Sequence, residues 1–260
     1  MLKGRTAVVT GSSSGIGLGI AEHFAKAGAN VVMNGIEKPE DVADDVARLD
    51  GLGEGGVVYS PANMMKAEEI REMAAMAEKT FGGVDILVNN AGIQFVSPIE
   101  EFPEAKWDAI IAINLSSSYH TIKAVLPGMK VRGWGRVINI ASAHGLVASP
   151  FKSAYVAAKH GVLGMTKTVA LEVAEQGITV NAVCPGYVWT PLVERQIPDT
   201  AKARGLTEDE VIQDVLLKAQ PTKKFVTVDQ LGSLAMFLCS DDAASITGAA
   251  LPVDGGWIAQ

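Results

Sequence analysis

A doubly wound α/β fold, seven parallel strands sandwiched between helices, is predicted by three features of the 260-residue chain. Short β-branched runs recur along it, longer amphipathic stretches separate most of them, and a Gly/Ser-rich turn follows the first run. Apolar strands buried on both faces and joined by helical crossovers imply a parallel sheet covered on both sides. Such crossovers are nearly always right-handed, which makes the arrangement Rossmann-like.

The strand runs are Thr6–Thr10, Val31–Asn34, Val57–Ser60, Ile86–Asn89, Arg136–Ala141, Thr179–Cys184 and Ala250–Val253. Helical periodicity predicts Gly15–Ala27, Ala67–Phe81, Glu104–Leu126, Ser153–Gln176 and Val228–Leu238. From Tyr187 to about Phe225 come two short helical patterns, Leu192–Arg204 and Glu208–Lys218, and no strand. The chain therefore reads as one dinucleotide-binding catalytic domain over residues 1–260, with a helical lid inserted at 187–225. An insertion of that size beyond a strand's carboxyl end is more often a lid or binding loop than filler. The bland alternative is a surface excursion that only packs between subunits.

Composition narrows the function classes. Hydrophobic residues make up 48% and charged residues 20%, and the net charge is −7. With acidic residues in excess, no basic field is expected that could hold nucleic acid or an anionic membrane. Mean hydropathy is positive, yet the apolar runs are broken well short of the ~20 residues a spanning helix needs. Met1 to Gly11 reads as a strand entering a turn, without the shape of a signal peptide. Cys184 and Cys239 are too few for a disulfide framework. A reduced, cytoplasmic protein without a metal site is expected.

The turn after the first strand is Thr10-Gly11-Ser12-Ser13-Ser14-Gly15-Ile16-Gly17. Gly11 permits a tight turn, Gly15 lets the backbone approach a phosphate, and Gly17 lets helix and strand pack closely. The free N–H groups and positive end of the new helix suit a pyrophosphate. A Gly/Ser turn alone can be a mere connection; its place between first strand and first helix points to a nucleotide. The second strand ends in Asn34-Gly35-Ile36, without an arginine for a 2′-phosphate, and Ser14 puts no base in the turn, so NAD is favoured over NADP. Glu37 is close enough for the ribose hydroxyls but reads equally as a solvated residue, and Lys38 keeps NADP open.

The chemistry rests on Ser142, Tyr155 and Lys159. Tyr155 and Lys159 are four apart at the start of a predicted helix, hence on one face. A free tyrosine, with a pKa of about 10, is a poor base at neutral pH. A nearby ammonium favours the phenolate and is expected to bring it toward the working range. Ser142 follows a strand at the carboxyl edge of the sheet, where ligands bind in open α/β folds, and its hydroxyl can donate to a reacting oxygen. Alone, Tyr-x-x-x-Lys is a chance pattern and Ser142 a loop serine.

Together the motifs carry more. The glycine turn Gly11–Gly17, Asn89-Asn90-Ala91-Gly92, Asn114, Ser142, Tyr155-x-x-x-Lys159 and Pro185-Gly186 occur in that order, and the chain resembles the short-chain dehydrogenases/reductases over essentially its whole length. The resemblance implies that Tyr155 is the acid/base, that Lys159 also binds the nicotinamide ribose, that Ser142 orients the reacting oxygen, and that Asn114 holds a water in a proton relay. It further implies a cofactor cleft lined by Gly11, Ser13, Gly15, Ile16, Gly17, Ile36, Asn63, Met64, Asn90 and Gly92, with Pro185, Gly186, Val188 and Thr190 beside the nicotinamide. Asn63 stands where the family usually has an aspartate at the adenine. A homotetramer is implied too, through the Glu104–Leu126 and Ser153–Gln176 helices and the C-terminal segment.

Longer stretches resemble a narrower group, the bacterial D-3-hydroxybutyrate dehydrogenases: Asn89 to Gln94, Ile140 to Ser149, Lys152 to Tyr155, Thr190 to Glu194 with Gln196, and Asp254 to Trp257. That likeness implies that Gln94, His144, Lys152 and Gln196 surround a substrate carboxylate and that Trp257 closes the pocket. Tyr187 and Phe95 replace the tryptophan and histidine of many members. Elementary chemistry agrees: Lys152, three residues before Tyr155, can attract a carboxylate, and His144 can donate in either tautomer. Lys152 also reads as a solvated helix-start lysine, His144 as a loop histidine and Trp257 as packing. The reaction expected is reversible oxidation of (R)-3-hydroxybutyrate to acetoacetate with NAD. Two alternatives compete: an NADPH-dependent 3-oxoacyl-thioester reductase of the same family, and a dinucleotide sensor without turnover. The first resembles chains with a basic residue where Ser14 stands, and the second is expected to lose the tyrosine or lysine.

Overall fold

Seven strands, all parallel, lie in the order β3-β2-β1-β4-β5-β6-β7 in a computed structural model. It describes residues 2–259, but not the side chains at 192, 195, 196, 199, 200, 203 and 204. The strands are β1 Thr6–Val9, β2 Asn30–Asn34, β3 Val57–Ser60, β4 Ile86–Asn89, β5 Gly135–Ile140, β6 Ile178–Pro185 and β7 Ala250–Val253. Each falls within a residue or so of its sequence-based range because β1, β4, β5 and β6 are buried along their whole length. Strands covered on both faces must be apolar runs, the signal read above. Order reverses beside β1: β2 and β4 flank it, with Val8 opposite Val32 on one side and Leu87 on the other. This switch point is where open α/β sheets bind ligands.

The helices α1 Gly15–Lys26, α2 Ala43–Asp50, α3 Ala67–Phe81, α4 Glu104–Ile111, α5 Ser117–Arg132 and α6 Ser153–Glu172 wrap the sheet, followed by α7 Pro191–Arg204, α8 Glu208–Glu210 and α9 Val228–Leu238. Two main cores separate by face. One joins Ile20 and Phe24 of α1 and Leu231 of α9 to Val9, Val31 and Ile138. The other joins Ile70 and Met73 of α3 and Met129 of α5 to Val8, Val32 and Leu87. Among the described residues, no helix is long and apolar enough to cross a membrane.

Three elements differ from expectation. Helix α2 has no counterpart in the sequence reading; Asp44, Asp45 and Asp50 mask the apolar spacing Val42, Val46, Leu49, whose first and last members are buried. Pro127 does not end α5, which continues to Arg132; buried Val125 and Met129 on either side of Pro127 pack onto the sheet, and that packing overrides the proline's cost. Finally, the single helix expected from Glu104 is interrupted by a wide π turn, Ala112–Ser116, centred on buried Asn114.

The segment 187–225 closes on itself. Ile197, Ala201 and Val211 form a small separate core with Leu206, Ile212 and Leu216. Thr190 caps α7 and a reciprocal Thr207–Glu210 box caps α8.

Candidate active site

Loops after β1, β4, β5 and β6 bound a cavity of about 490 Å³. Gly11 and Gly15 have φ of +60° and +57°, which favours glycine. A Cβ at Gly11 would also lie 2.8 Å from Ala91 Cα. Helix α1 starts at Gly15 with no side-chain cap bond at Ser14 and no acidic residue in its first turn, and Gly15 and Ile16 line the cavity. These first-turn N–H groups suit a phosphate. The backbone cradle thus fits a dinucleotide's pyrophosphate.

Of the sequence-predicted cofactor residues, Gly11, Ser13, Gly15, Ile16, Ile36, Asn63, Met64, Asn90, Gly92, Tyr155, Lys159, Pro185, Gly186 and Thr190 line this cavity. Gly17 and Val188 stand behind the wall. A Cβ at Gly17 would run into Gly11 O and the Asn90 amide, and that amide donates to Thr10 O at 2.9 Å and Gly11 O at 2.8 Å. Val188 is buried and bridges to Val226. At the adenine-side rim, the Asn63 amide oxygen accepts from Met65 N–H at 2.9 Å, and Ile36 is exposed.

The sequence left Glu37 open between the ribose hydroxyls and solvent. Glu37 lines the cavity and accepts a hydrogen bond from Ser13 Oγ at 3.0 Å. Tyr59 Oη donates to Glu37 O at 2.9 Å and to its carboxylate at 3.4 Å. Burial first, then the Glu37 charge, push the Tyr59 phenol up to about 12. The signal available was the position of Glu37, three residues past β2; the Ser13 and Tyr59 contacts come from other elements.

Ser142 lies two residues past β5, and its Oγ accepts from His144 N–H at 3.1 Å, starting the tight turn Ala143–Gly145. Tyr155 and Lys159 share a face of α6, the Lys159 Nζ standing 5.6 Å from the Tyr155 ring centroid. Lys159 is buried, and its ammonium donates to Ile140 O at 2.7 Å. Burial brings Lys159 down to about 8. Tyr155 is raised, chiefly by burial, while its hydrogen bond with Ser142 pulls the other way and Tyr187 adds to the rise. For the protein's own groups the Tyr155 shift thus runs opposite to the one expected from Lys159, because desolvation dominates it.

Asn114 uses its amide on the backbone. Its Oδ1 accepts from Ile93 N–H at 2.8 Å and its Nδ2 donates to Ile93 O at 2.9 Å. The π turn thereby clamps the loop after β4, which lines the cavity through Gly92, Ile93 and Gln94.

Next to Tyr155 lies an aromatic cluster. The His144 ring meets Tyr155 edge-on at 6.0 Å and Trp257 at 5.0 Å. Trp257 stacks on Tyr187, and Lys152 Nζ stands 5.9 Å from the Tyr187 ring centroid. Burial, with the Lys152 charge adding, lowers His144 to about 4, so it is neutral at pH 7. Burial also lowers Lys152. His144 Nε2 hydrogen-bonds Ser149 Oγ at 2.8 Å. Four of the sequence-predicted substrate residues, His144, Lys152, Tyr187 and Trp257, therefore gather beside Tyr155, with Ser142 in hydrogen-bond contact; Gln94 lies on the cofactor cavity. The Gln196 side chain is outside the described residues. Phe95 instead packs edge-on against Phe102, which meets Trp107.

Residues 11–258 match the family model described as enoyl-(acyl carrier protein) reductase. The chain is 64% identical to a D-beta-hydroxybutyrate dehydrogenase of Rhizobium meliloti (strain 1021), over 98% of this chain and 99% of that one. It is 53% identical to a D-beta-hydroxybutyrate dehydrogenase of Cupriavidus necator, over 100% of each. A crystal structure assigned as a short-chain alcohol dehydrogenase from Sinorhizobium meliloti 1021 superposes with a TM-score of 0.86 at 36% identity, covering 100% of this chain and 98% of that chain. Sheet order, glycine turn, the Ser142–Tyr155–Lys159 set and these likenesses agree: the chain is an oxidoreductase belonging to the short-chain dehydrogenase/reductase family.

Proposed function

We propose that this enzyme reversibly oxidises (R)-3-hydroxybutyrate to acetoacetate with NAD. The observation that carries the reading is the gathering of Lys152, His144, Tyr187 and Trp257 beside Tyr155. It offers a cation and a neutral ring donor for a carboxylate, with flat aromatic walls for a short chain. The names of the R. meliloti and C. necator relatives point the same way.

In this reading Lys152 and His144, with Gln94 and Gln196, hold the carboxylate, and the Tyr187–Trp257 wall limits chain length. The substrate's 3-hydroxyl is thereby brought to Tyr155. A nicotinamide bound in the cavity would supply the acceptor for the hydride leaving C3. Tyr155, as phenolate, takes the hydroxyl proton while the C3–O bond becomes a carbonyl; in the reverse direction its phenol returns that proton. Ser142 donates to the substrate oxygen, and Lys159, beside Tyr155, stabilises the phenolate and holds the nicotinamide ribose. Asn114 keeps the loop after β4 in place through its amide bonds to Ile93 and, in this reading, also holds the relay water.

NAD rather than NADP is supported by Glu37, whose carboxylate on the cavity wall would lie against a 2′-phosphate. Residues 187–225 serve as a lid with its own core within a single catalytic domain, and the enzyme works as a homotetramer in the cytoplasm. Apolar Tyr119 and Val131 on α5 and Leu171 on α6 are exposed, as subunit contacts would require; light scattering tests the assembly. The function is tested by NAD⁺ reduction with separate (R)- and (S)-3-hydroxybutyrate and longer hydroxy acids. Turnover confined to the short (R)-acid is expected. Preference for NADPH and a 3-oxoacyl thioester would overturn the reading.

A further inference from the structure

Gln220 lies where the chain leaves the helical segment and returns to the sheet, and its side chain is fully buried. Its Oε1 accepts from Tyr187 N–H, and its Nε2 donates to Lys224 O at 2.7 Å. Room for it comes from missing side chains. A Cβ at Gly186 would run into the Gln220 amide, and one at Gly255 into the neighbouring Thr222 hydroxyl. Around it the backbone is stitched on both sides: Val226 N–H donates to Tyr187 O at 2.9 Å, and Thr222 N–H to Gly255 O at 3.1 Å. Asp254 then fixes the terminal turn by accepting from Gly256 and Ile258 N–H, each at 3.0 Å. That turn carries Trp257, the stacking partner of Tyr187.

We infer that Gln220 is a positioning residue for substrate binding, holding Tyr187 against Trp257 so that the two rings and Lys152 keep one arrangement. The inference rests on the reading of that cluster as the hydroxy-acid site. The chemistry selects an amide: the position needs an acceptor toward Tyr187 N–H and a donor toward Lys224 O. A leucine of similar size supplies neither. An ionised carboxylate supplies only the acceptor and faces Lys224 O with its charge; a protonated one supplies both.

Two variants test this. Gln220→Leu is expected to raise KM for 3-hydroxybutyrate by about tenfold, the scale of losing buried hydrogen bonds. The dissociation constant for NADH, read by fluorescence, should stay within about twofold. Gln220→Glu is expected to match wild type at low pH and to approach the leucine variant as pH rises, read as the variant-to-wild-type KM ratio at each pH. The Trp257 near-ultraviolet dichroism, taken as wild type minus Trp257→Phe, should be lost in Gln220→Leu and return in Gln220→Glu on acidification. Wild-type KM in both variants, equal rises in KM and NADH dissociation constant, or failure of both to fold at every pH would overturn the proposal. So would a Trp257 signal that persists in both; that outcome counts even if wild type rejects 3-hydroxybutyrate, the result that instead removes the proposed function.

Discussion

The Trp257 indole lies flat on the Tyr187 phenol, ring centroids 5.6 Å apart and planes 9° from parallel. Edge-on contact with His144 ties the pair to Tyr155, and Lys152 Nζ stands 5.9 Å from the Tyr187 ring centroid. In the proposed function this lysine meets the substrate carboxylate. Lys152→Ala is expected to raise KM for 3-hydroxybutyrate by about tenfold or more, the worth of one charge-assisted contact, and to leave KM for NAD⁺ nearly unchanged. Equal effects on the two would remove Lys152 from the substrate.

Glu37 gives a second test. Glu37→Gln keeps an acceptor for Ser13 and leaves Tyr59 its bond to the residue 37 carbonyl, but discards the charge at the cavity wall. The kcat/KM with NADP⁺ should rise by about tenfold, on the order of one close like-charge repulsion near a surface, with a smaller change for NAD⁺. An unchanged NADP⁺ rate would mean that Glu37 does not face the ribose.

His144 makes stability depend on pH. Its pKa falls from 6.5 to about 4 on folding, so the unfolded chain binds more protons between those values. The contribution is complete above pH 6.5, shrinks as pH falls and is gone below about 4. Its full size is about 3 kcal/mol. Urea unfolding from pH 7 to 4 should show a loss that is smaller in His144→Asn. Parallel curves for the two proteins would contradict a buried neutral imidazole.

Much of this was legible in the chain. Val31–Met33 and Ile86–Val88 announce central strands because both sheet faces exclude water. Gly11 and Gly15 announce the turn because their φ values suit glycine. What escaped depends on partners distant in sequence. Glu37 acquires meaning from Ser13 and Tyr59, and Gln220 from the backbone of Tyr187. Spacing put Lys159 on the face of Tyr155 but carried no record of burial, the largest influence on both proton affinities. The π turn at Asn114 follows from its bonds to Ile93, which no helical periodicity encodes.

A buried polar chain offers a stability test apart from the site. Thr121 Oγ1 donates to Asn89 Oδ1 at 2.6 Å, Asn89 Nδ2 to Asn139 Oδ1 at 2.9 Å, and Asn139 Nδ2 to Thr166 Oγ1 at 2.8 Å. Asn139→Ala strands the Asn89 donor and opens a hole, an expected loss of about 3 kcal/mol in denaturant unfolding. A change below about 0.5 kcal/mol, the scale of a surface substitution, would mean that the chain carries no stability.

The most direct measurement concerns the Tyr155 hydroxyl. Tyr155→Phe keeps the ring against His144 and removes the hydroxyl to which the proposed mechanism gives the proton. Turnover of 3-hydroxybutyrate should fall at least about a thousandfold, within the range for loss of a positioned acid/base, while NADH binding, followed by its fluorescence, persists. Near-normal turnover in that variant would contradict the account.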